Sequence, residues 1–335
     1  MDLTTLYLGL PLRNPIIASA SPLSGDIGGI RRLEDCGAGA IVLPSLFEEQ
    51  LRQEQELAER LSHIGAESSP EASSYFPAAV DYKSGAAAYL DLIAKARAAV
   101  DIPIIASLNG STDSGWIDYA SAIEQAGASA LELNIYRIAS GPDIKTGEAE
   151  ADCLALVKSI RARVKLPVAV KLQPYFSAFG ALAQDLDAAG ANGLVLFNRL
   201  YQPDINLARL SWDNAIELSG ANEIRLGLLW ISLLSGRLPR ASLAAGSGVD
   251  QSDEIVKYLL SGADAVMTAS ALLRHGPDHL RKLIAGLESW LTQRGFSSVG
   301  AIKGLMKHQR QGAEAQERGD YIRSLLGYRG PHVRR

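Results

Sequence analysis

Residues able to do chemistry are sparse in this chain and gather in short runs. ALELNIYRIASGPD (130–143) opens apolar and then presents an amide, a phenol and a guanidinium: Asn134, Tyr136 and Arg137. VAVKLQP (168–174) carries one lysine, Lys171, at the end of an otherwise apolar run. Such a lysine can hold a fixed positive charge against a developing anion or act as a Schiff-base nucleophile. Its plainer roles are pairing with an acid or snorkelling to solvent. AAGSGVDQSDE (244–254) and MTASALL (267–273) supply Gly246-Ser247-Gly248 and Ala269-Ser270. Glycine lets backbone N–H groups approach an anion, serine adds hydroxyl donors, and a following helix N-terminus adds positive potential. Alone, Gly-Ser-Gly is ordinarily a tight turn; paired with a second such turn it reads as a phosphate site. Asn109, Asn134 and Asn198 each follow an apolar run. One amide alone is enough to cap a turn, whereas three around one mouth suit a flat, heteroatom-rich ligand.

The elements that must position these groups are announced by a repeat. Four apolar runs open just after Gly-Ala, at Gly37, Gly127, Gly190 and Gly262, each behind an amphipathic stretch. There the glycine reads as a helix C-cap. Four others open at proline, at Pro15, Pro103, Pro167 and Pro239. Proline is tolerated at the first residue of a strand. The two kinds alternate strictly along the chain, so eight short apolar strands, each followed by a helix, predict a (β/α)8 TIM barrel. An open doubly wound sheet is the structural alternative. The segment TTLYLGLPLRNP predicts an N-terminal hairpin closing the barrel floor. Two long excursions are expected, from Pro44 to about Asp101 after strand 2 and from about Arg199 to Arg237 after strand 6. The first carries the charged stretch EEQLRQEQELAERL, which reads as the wet face of a helix. The expected division is a barrel over residues 1–312 and a C-terminal helix and tail over 313–335.

Composition removes other classes. With 335 residues, 47% hydrophobic, 21% charged and a net charge of −4, the chain reads as an ordinary globular protein without affinity for nucleic acid or anionic membrane. No apolar run reaches the roughly 18 residues of a membrane span, and the first residues do not form a signal peptide, so a cytoplasmic protein is expected. Cys36 and Cys153 lack CxxC spacing, and the five histidines lack HExxH spacing, so no metal site is expected.

In a barrel of this kind catalytic groups stand at the C-terminal strand ends. Those ends carry Ser19-Ala20-Ser21, Ser45, Asn109, Asn134, Lys171, Asn198, Gly246-Ser247-Gly248 and Ala269-Ser270. With these motifs the chain resembles the dihydroorotate dehydrogenase family of flavin-dependent barrels over nearly its whole length, from LGLPLRNPIIASAS to AIKGLMKHQ. The resemblance implies FMN as cofactor, held by Ser19, Ala20, Ser21, Ser45, Asn109, Lys171, Gly246, Ser247, Gly248, Ala269 and Ser270. It also implies a planar substrate contacted by Asn134 and Asn198, with Tyr136 beside them. Two departures stand out. Family members usually follow the strand-four asparagine with Ser-Cys-Pro-Asn or Ser-Ser-Pro-Asn, and the third residue after that asparagine is the catalytic base. Here that position is Arg137, which stays protonated and cannot take a proton. The family's Lys-Ser or Lys-Thr after strand two is here Pro44-Ser45. The expectation is an FMN-dependent oxidoreductase with Lys171 and Arg137 in catalytic roles, acting on a CH–CH group of a small planar, anionic substrate. Alternatives are dihydroorotate dehydrogenase proper in pyrimidine biosynthesis, a sugar-phosphate lyase without flavin, and a non-catalytic flavin-binding accessory subunit. A homodimer and an external electron-transfer partner are the assemblies this reading admits.

Overall fold

The computed structural model describes residues 1–49, 85–109, 113–136, 138–213, 215–307 and 313–327. A hairpin of β1 (Thr5–Tyr7) and β2 (Leu10–Leu12) leads into eight parallel strands that close into a barrel. These are β3 (Ile16–Ala18), β4 (Ala40–Phe47), β5 (Ile104–Asn109), β6 (Ala130–Asn134), β7 (Val168–Leu172), β8 (Gly193–Leu196), β11 (Ser242–Ala245) and β12 (Ala265–Thr268). A small antiparallel ribbon, β9 (Asp204–Asn206) with β10 (Ser211–Asp213), lies in the excursion after β8. Helices follow the barrel strands, so the fold is a (β/α)8 barrel. Much of the first excursion, including most of its charged stretch, lies outside the described residues.

Both strand-opening devices have a physical basis. Gly37, Gly127, Gly190 and Gly262 all take positive φ, between 90° and 112°, which reverses the chain out of each helix without a Cβ penalty. Pro15, Pro103 and Pro167 give no N–H to the ladder but give their carbonyls. Pro15 O accepts from Val266 N at 2.7 Å, Pro103 O from Ile41 N at 3.0 Å, and Pro167 O from Leu131 N at 2.9 Å.

Two concentric cores result. Outward strand residues such as Leu131, Leu133, Val168 and Val170 pack against the helices. Inward residues Ala40, Ala130, Ala169, Ala244 and Ala265 are small and leave room for a plug from below, formed by Tyr7, Leu8 and Leu12 of the hairpin. Leu8 and Gly9 have φ of 56° and 76°, the left-handed pair of a tight two-residue turn. Gly193 makes room for the same plug: a Cβ there would stand 2.4 Å from Leu8 Cδ2, and the leucine tip would have to shift.

The first strand is locked by Asn14, which is buried. Its amide donates to Gly37 O at 2.8 Å and its Oδ1 accepts from Ile16 N at 2.9 Å. Gly39 passes tightly beneath it, donating to Ile16 O at 2.7 Å. A Cβ at Gly39 would lie 2.2 Å from the Asn14 carbonyl oxygen, a backbone atom that cannot rotate away. Gly39→Ala is therefore expected to destabilise the protein by about 1–3 kcal/mol, the range for overpacking, read as a lower urea midpoint with unchanged slope. An unchanged midpoint would mean that β3 and β4 can separate at that point without cost.

Candidate functional site

Because β strands alternate, the residues facing the barrel interior can be followed upward from the floor. On β6 the inward series is Ala130, Glu132, Asn134; on β7 it is Ala169, Lys171; on β5 it is Ile105, Ser107, Asn109. The interior therefore changes from apolar to polar halfway up. Glu132 is fully buried, with its side chain only 1% exposed, and Lys171 Nζ lies 3.3 Å from Glu132 Oε1 and 3.4 Å from Ser19 Oγ. Ser107 Oγ meets Ser45 Oγ at 2.8 Å. Tyr89, from the helix Gly85–Ala99, accepts from Ser107 N at 2.8 Å. Burial pushes its phenol up, the backbone contact at Ser107 draws it partly back, and the Glu132 charge adds to the rise.

Above this layer is a cavity lined by Ser19, Ala20, Lys171, Phe197, Asn198 and Arg199 on one side. Gly246, Ser247, Gly248, Ala269 and Ser270 line the other. Thus eight of the residues expected to hold the cofactor, with Asn198, converge on one hollow from five strand ends. Ser247 and Gly248 have consecutive φ values of 71° and 74°. Successive left-handed residues turn backbone N–H groups toward a common side. A Cβ on Gly246 would come within 2.9 Å of Phe197 O, and one on Gly248 within 2.9 Å of Gly220 O. These glycines are fixed by close backbone approach. Tyr258, from the helix Ser252–Ser261, supports the turn from below, its hydroxyl 3.2 Å from the Ser247 carbonyl. Burial pushes the Tyr258 phenol up, with the Glu254 and Glu223 charges adding, which preserves it as a donor.

The turns at β11 and β12 are closed over by a residue with no sequence signal. Ser219, in the excursion after β8, has its hydroxyl 2.9 Å from Ser270 Oγ and 3.2 Å from Gly248 N. Its hydroxyl oxygen bridges the two turns. Arg274 holds this flap down, donating to Ser219 O at 3.2 Å while paired with Asp250. Burial pushes the Asp250 carboxyl up, but the Gln251 hydrogen bond and the Arg274 charge outweigh it, leaving the group below its usual range.

The substrate-side amides meet directly: Asn198 Nδ2 donates to Asn134 Oδ1 at 2.7 Å. Asn109 and Tyr136 line a neighbouring cavity with Phe47, Tyr201, Ile216 and Ser270, under the excursion. Tyr136 Oη accepts from Tyr201 N at 2.8 Å, which ties the loop after β6 to the excursion. Arg199 borders both cavities and is engaged by Glu223 at 2.8 Å and by the Glu217 carbonyl. Two expected contacts stand apart. Ser21 is buried but turns its carbonyl to Ser24, and neither it nor Ser45 lines these cavities. Ser45 is drawn to Ser107 after a register shift in β4, where Pro44 cannot donate to the ladder. Arg137 lies outside the described residues. Among the described residues no group of three or more His, Cys, Asp or Glu could hold a metal, and no helix is long and apolar enough to cross a membrane.

Glu132 was within reach of sequence reasoning, since alternation puts it on the same face as Asn134. Ser219 and Arg274 were not, because their place depends on how a long excursion folds back.

Comparison with known proteins identifies a family and several relatives. A family model for dihydroorotate dehydrogenase matches residues 82–291. The chain is 25% identical over 320 residues to a dihydroorotate dehydrogenase B (NAD(+)) catalytic subunit of Methanothermobacter thermautotrophicus, covering 90% of this chain and 98% of that one. It is 30% identical over 216 residues to the corresponding subunit of Shouchella clausii, covering 61% and 68%. With that of Geobacillus kaustophilus it shares 32% over 216 residues, covering 61% and 66%.

The paired turns make a direct prediction. Inorganic phosphate should raise the melting temperature of the protein in a concentration-dependent way, as any ligand of the folded state does. Gly248→Ala, which forces a Cβ at φ 74° against Gly220 O, should abolish that rise. Equal stabilisation of both proteins would place anion binding elsewhere.

Proposed function

The chain belongs to the dihydroorotate dehydrogenase family of flavin-dependent oxidoreductases, and from that premise we propose that it binds FMN and oxidises or reduces a CH–CH bond of a small planar, anionic substrate other than dihydroorotate. The observation that carries this reading is the hollow in which Ser19, Ala20 and Lys171 face the turns at Gly246–Gly248 and Ala269–Ser270. That hollow suits a ligand with a polar ring at one end and a phosphate at the other. When bound, FMN would supply the hydride and electron chemistry. The chain's own residues would orient and polarise it. Gly248 N–H and the Ser270 hydroxyl would take the phosphate, displacing the Ser219 oxygen that now lies between them, while the Ser247 hydroxyl, which donates to Phe197 O at 3.1 Å, would hold the turn in shape. Lys171 would place its ammonium where the ring gains negative charge on reduction. Asn134 and Asn198 would present donors and acceptors in the plane of the substrate, and Tyr136 would border it.

The departure at Arg137 sets the substrate apart. A guanidinium cannot accept the proton that dihydroorotate must lose while the flavin takes hydride. It can instead bind a carboxylate through two parallel N–H contacts. An external electron-transfer partner is part of the proposal. The relatives are named as catalytic subunits, and the chain's two cysteines, both buried, cannot by themselves form a four-thiolate iron–sulfur site.

The cofactor is tested by heating the purified, FMN-supplemented protein and chromatographing the released chromophore. FMN is expected; release of FAD, or no retained flavin, would defeat the proposal. The substrate is tested by anaerobic bleaching of the flavin with dihydroorotate, in the wild type and in Arg137→Cys. General-base assistance contributes roughly 100- to 10,000-fold, so the wild type should bleach slower than an ordinary turnover by about that factor while dithionite still bleaches it at once. Rapid bleaching of the wild type would show that another group serves as base and that dihydroorotate is the substrate.

A further inference from the structure

Glu132 is the one carboxylate inside the described barrel wall at the height of the site, and its burial needs a reason. Its Oε1 faces Lys171 Nζ at 3.3 Å, while its Oε2 is buried without a hydrogen-bond partner. Below it, the Tyr7 hydroxyl is also buried and unpartnered, and its phenol is pushed well up by burial and by the charges of Glu132 and Asp264. An isolated buried carboxylate is costly unless it is paired. The pairing here is loose. Charge-assisted N–H···O contacts run at about 2.7–2.9 Å, and both contacts of Lys171 exceed that, at 3.3 Å to Glu132 and 3.4 Å to Ser19. The ammonium is therefore tethered from below and unsaturated, and Lys171 lines the cavity above.

We propose that Glu132 is a positioning and charge-tempering residue for Lys171. It holds the ammonium at the floor of the site, leaves hydrogen-bonding capacity pointing upward, and cancels part of the lysine's charge, thereby lowering the reduction potential of the bound flavin. The inference rests on the flavin reading given above. A flavin gains negative charge on reduction, so a nearby cation raises its potential and a nearby anion lowers it. Glu132 acts through Lys171 and belongs to neither the substrate nor the phosphate contacts. Adjacency explains the arrangement: β6 and β7 pair in register with Asn134 opposite Lys171, which puts Glu132 one inward position lower on the neighbouring strand.

The test measures the midpoint potential of bound FMN, by dye-coupled titration, in the wild type, Glu132→Gln, Glu132→Asp and Lys171→Met. Lys171→Met should shift the potential down. Glu132→Gln should shift it up, because the lysine charge is no longer offset, and Glu132→Asp should remain nearer the wild type than Glu132→Gln. A potential in Glu132→Gln that is unmoved or lower, with Lys171→Met still shifted down, would overturn the role of Glu132 and leave the flavin reading intact. Failure of the wild type to retain flavin would overturn both. Melting of the flavin-free proteins supplies a second measurement that does not depend on how well Glu132→Gln folds. Lys171→Met strands a buried carboxylate and should melt below the Glu132→Gln/Lys171→Met double variant, in which both charges are gone. Equal melting temperatures would show that the two side chains are uncoupled and would also overturn the proposal.

Discussion

Closure of eight parallel strands is the constraint from which the rest of this structure follows. A closed barrel has no edge, so every backbone hydrogen bond is committed and every second side chain is driven into a confined interior. That interior must be filled from the strands or from below. Here alanines on five strands and Gly193 leave it too empty to fill itself, and the hairpin residues Tyr7, Leu8 and Leu12 complete it. The plug fills only the lower half. Above it the inward positions become Ser107, Glu132 and Lys171, and the barrel opens into its polar mouth.

The chemistry divides between rigid and folded-back parts. The barrel wall supplies Lys171, the Asn134–Asn198 amide pair and the two phosphate-type turns, each at a strand end fixed by its neighbours on both sides. The cover comes from the excursion after β8, held by Ser219 on the turns, Arg274 on Ser219, and Tyr201 on Tyr136. Ser219 makes three hydrogen bonds to the turns and accepts a fourth from Arg274, each of modest net worth, about 0.5–1.5 kcal/mol for neutral pairs. In the proposed reading, a ligand that offers the same turns a charged oxygen would replace these contacts. A wall stitched by continuous strand pairing offers no such exchange.

Family membership and the residue at the base position point to different levels of function. In the proposed reading, the family resemblance lies in the parts that a flavin would need: the lysine strand, the amides and the paired turns. The sequence departures are Arg137, at the position where the resemblance implies a base, and Pro44, where loss of an N–H coincides with the shift that takes Ser45 toward Ser107. Cofactor and substrate machinery occupy different strand ends in a barrel, so one can change while the other is kept.

Most of the architecture was legible in the sequence because it depends on local rules. Glycine past a helix and proline at a strand start both express backbone sterics within a few residues. Their strict alternation therefore gave eight strands, their order and the strand ends where polar residues gather. The convergence of Ser19, Lys171, Gly246 and Ser270 on one hollow followed from that, since a closed barrel brings all its C-terminal ends together. Three things were decided only in three dimensions. The Glu132–Lys171 pair needed the register between two strands, because inward direction alone does not say which neighbour a side chain meets. The separation of Ser45 and Ser21 from the hollow needed the shift within β4 and the turn after β3. Ser219 and Arg274 needed the path of an excursion whose residues carry no periodic signal. Strand ends are set by nearest-neighbour geometry along the chain, whereas these contacts join residues 29 to 62 positions apart and exist only once the barrel has closed.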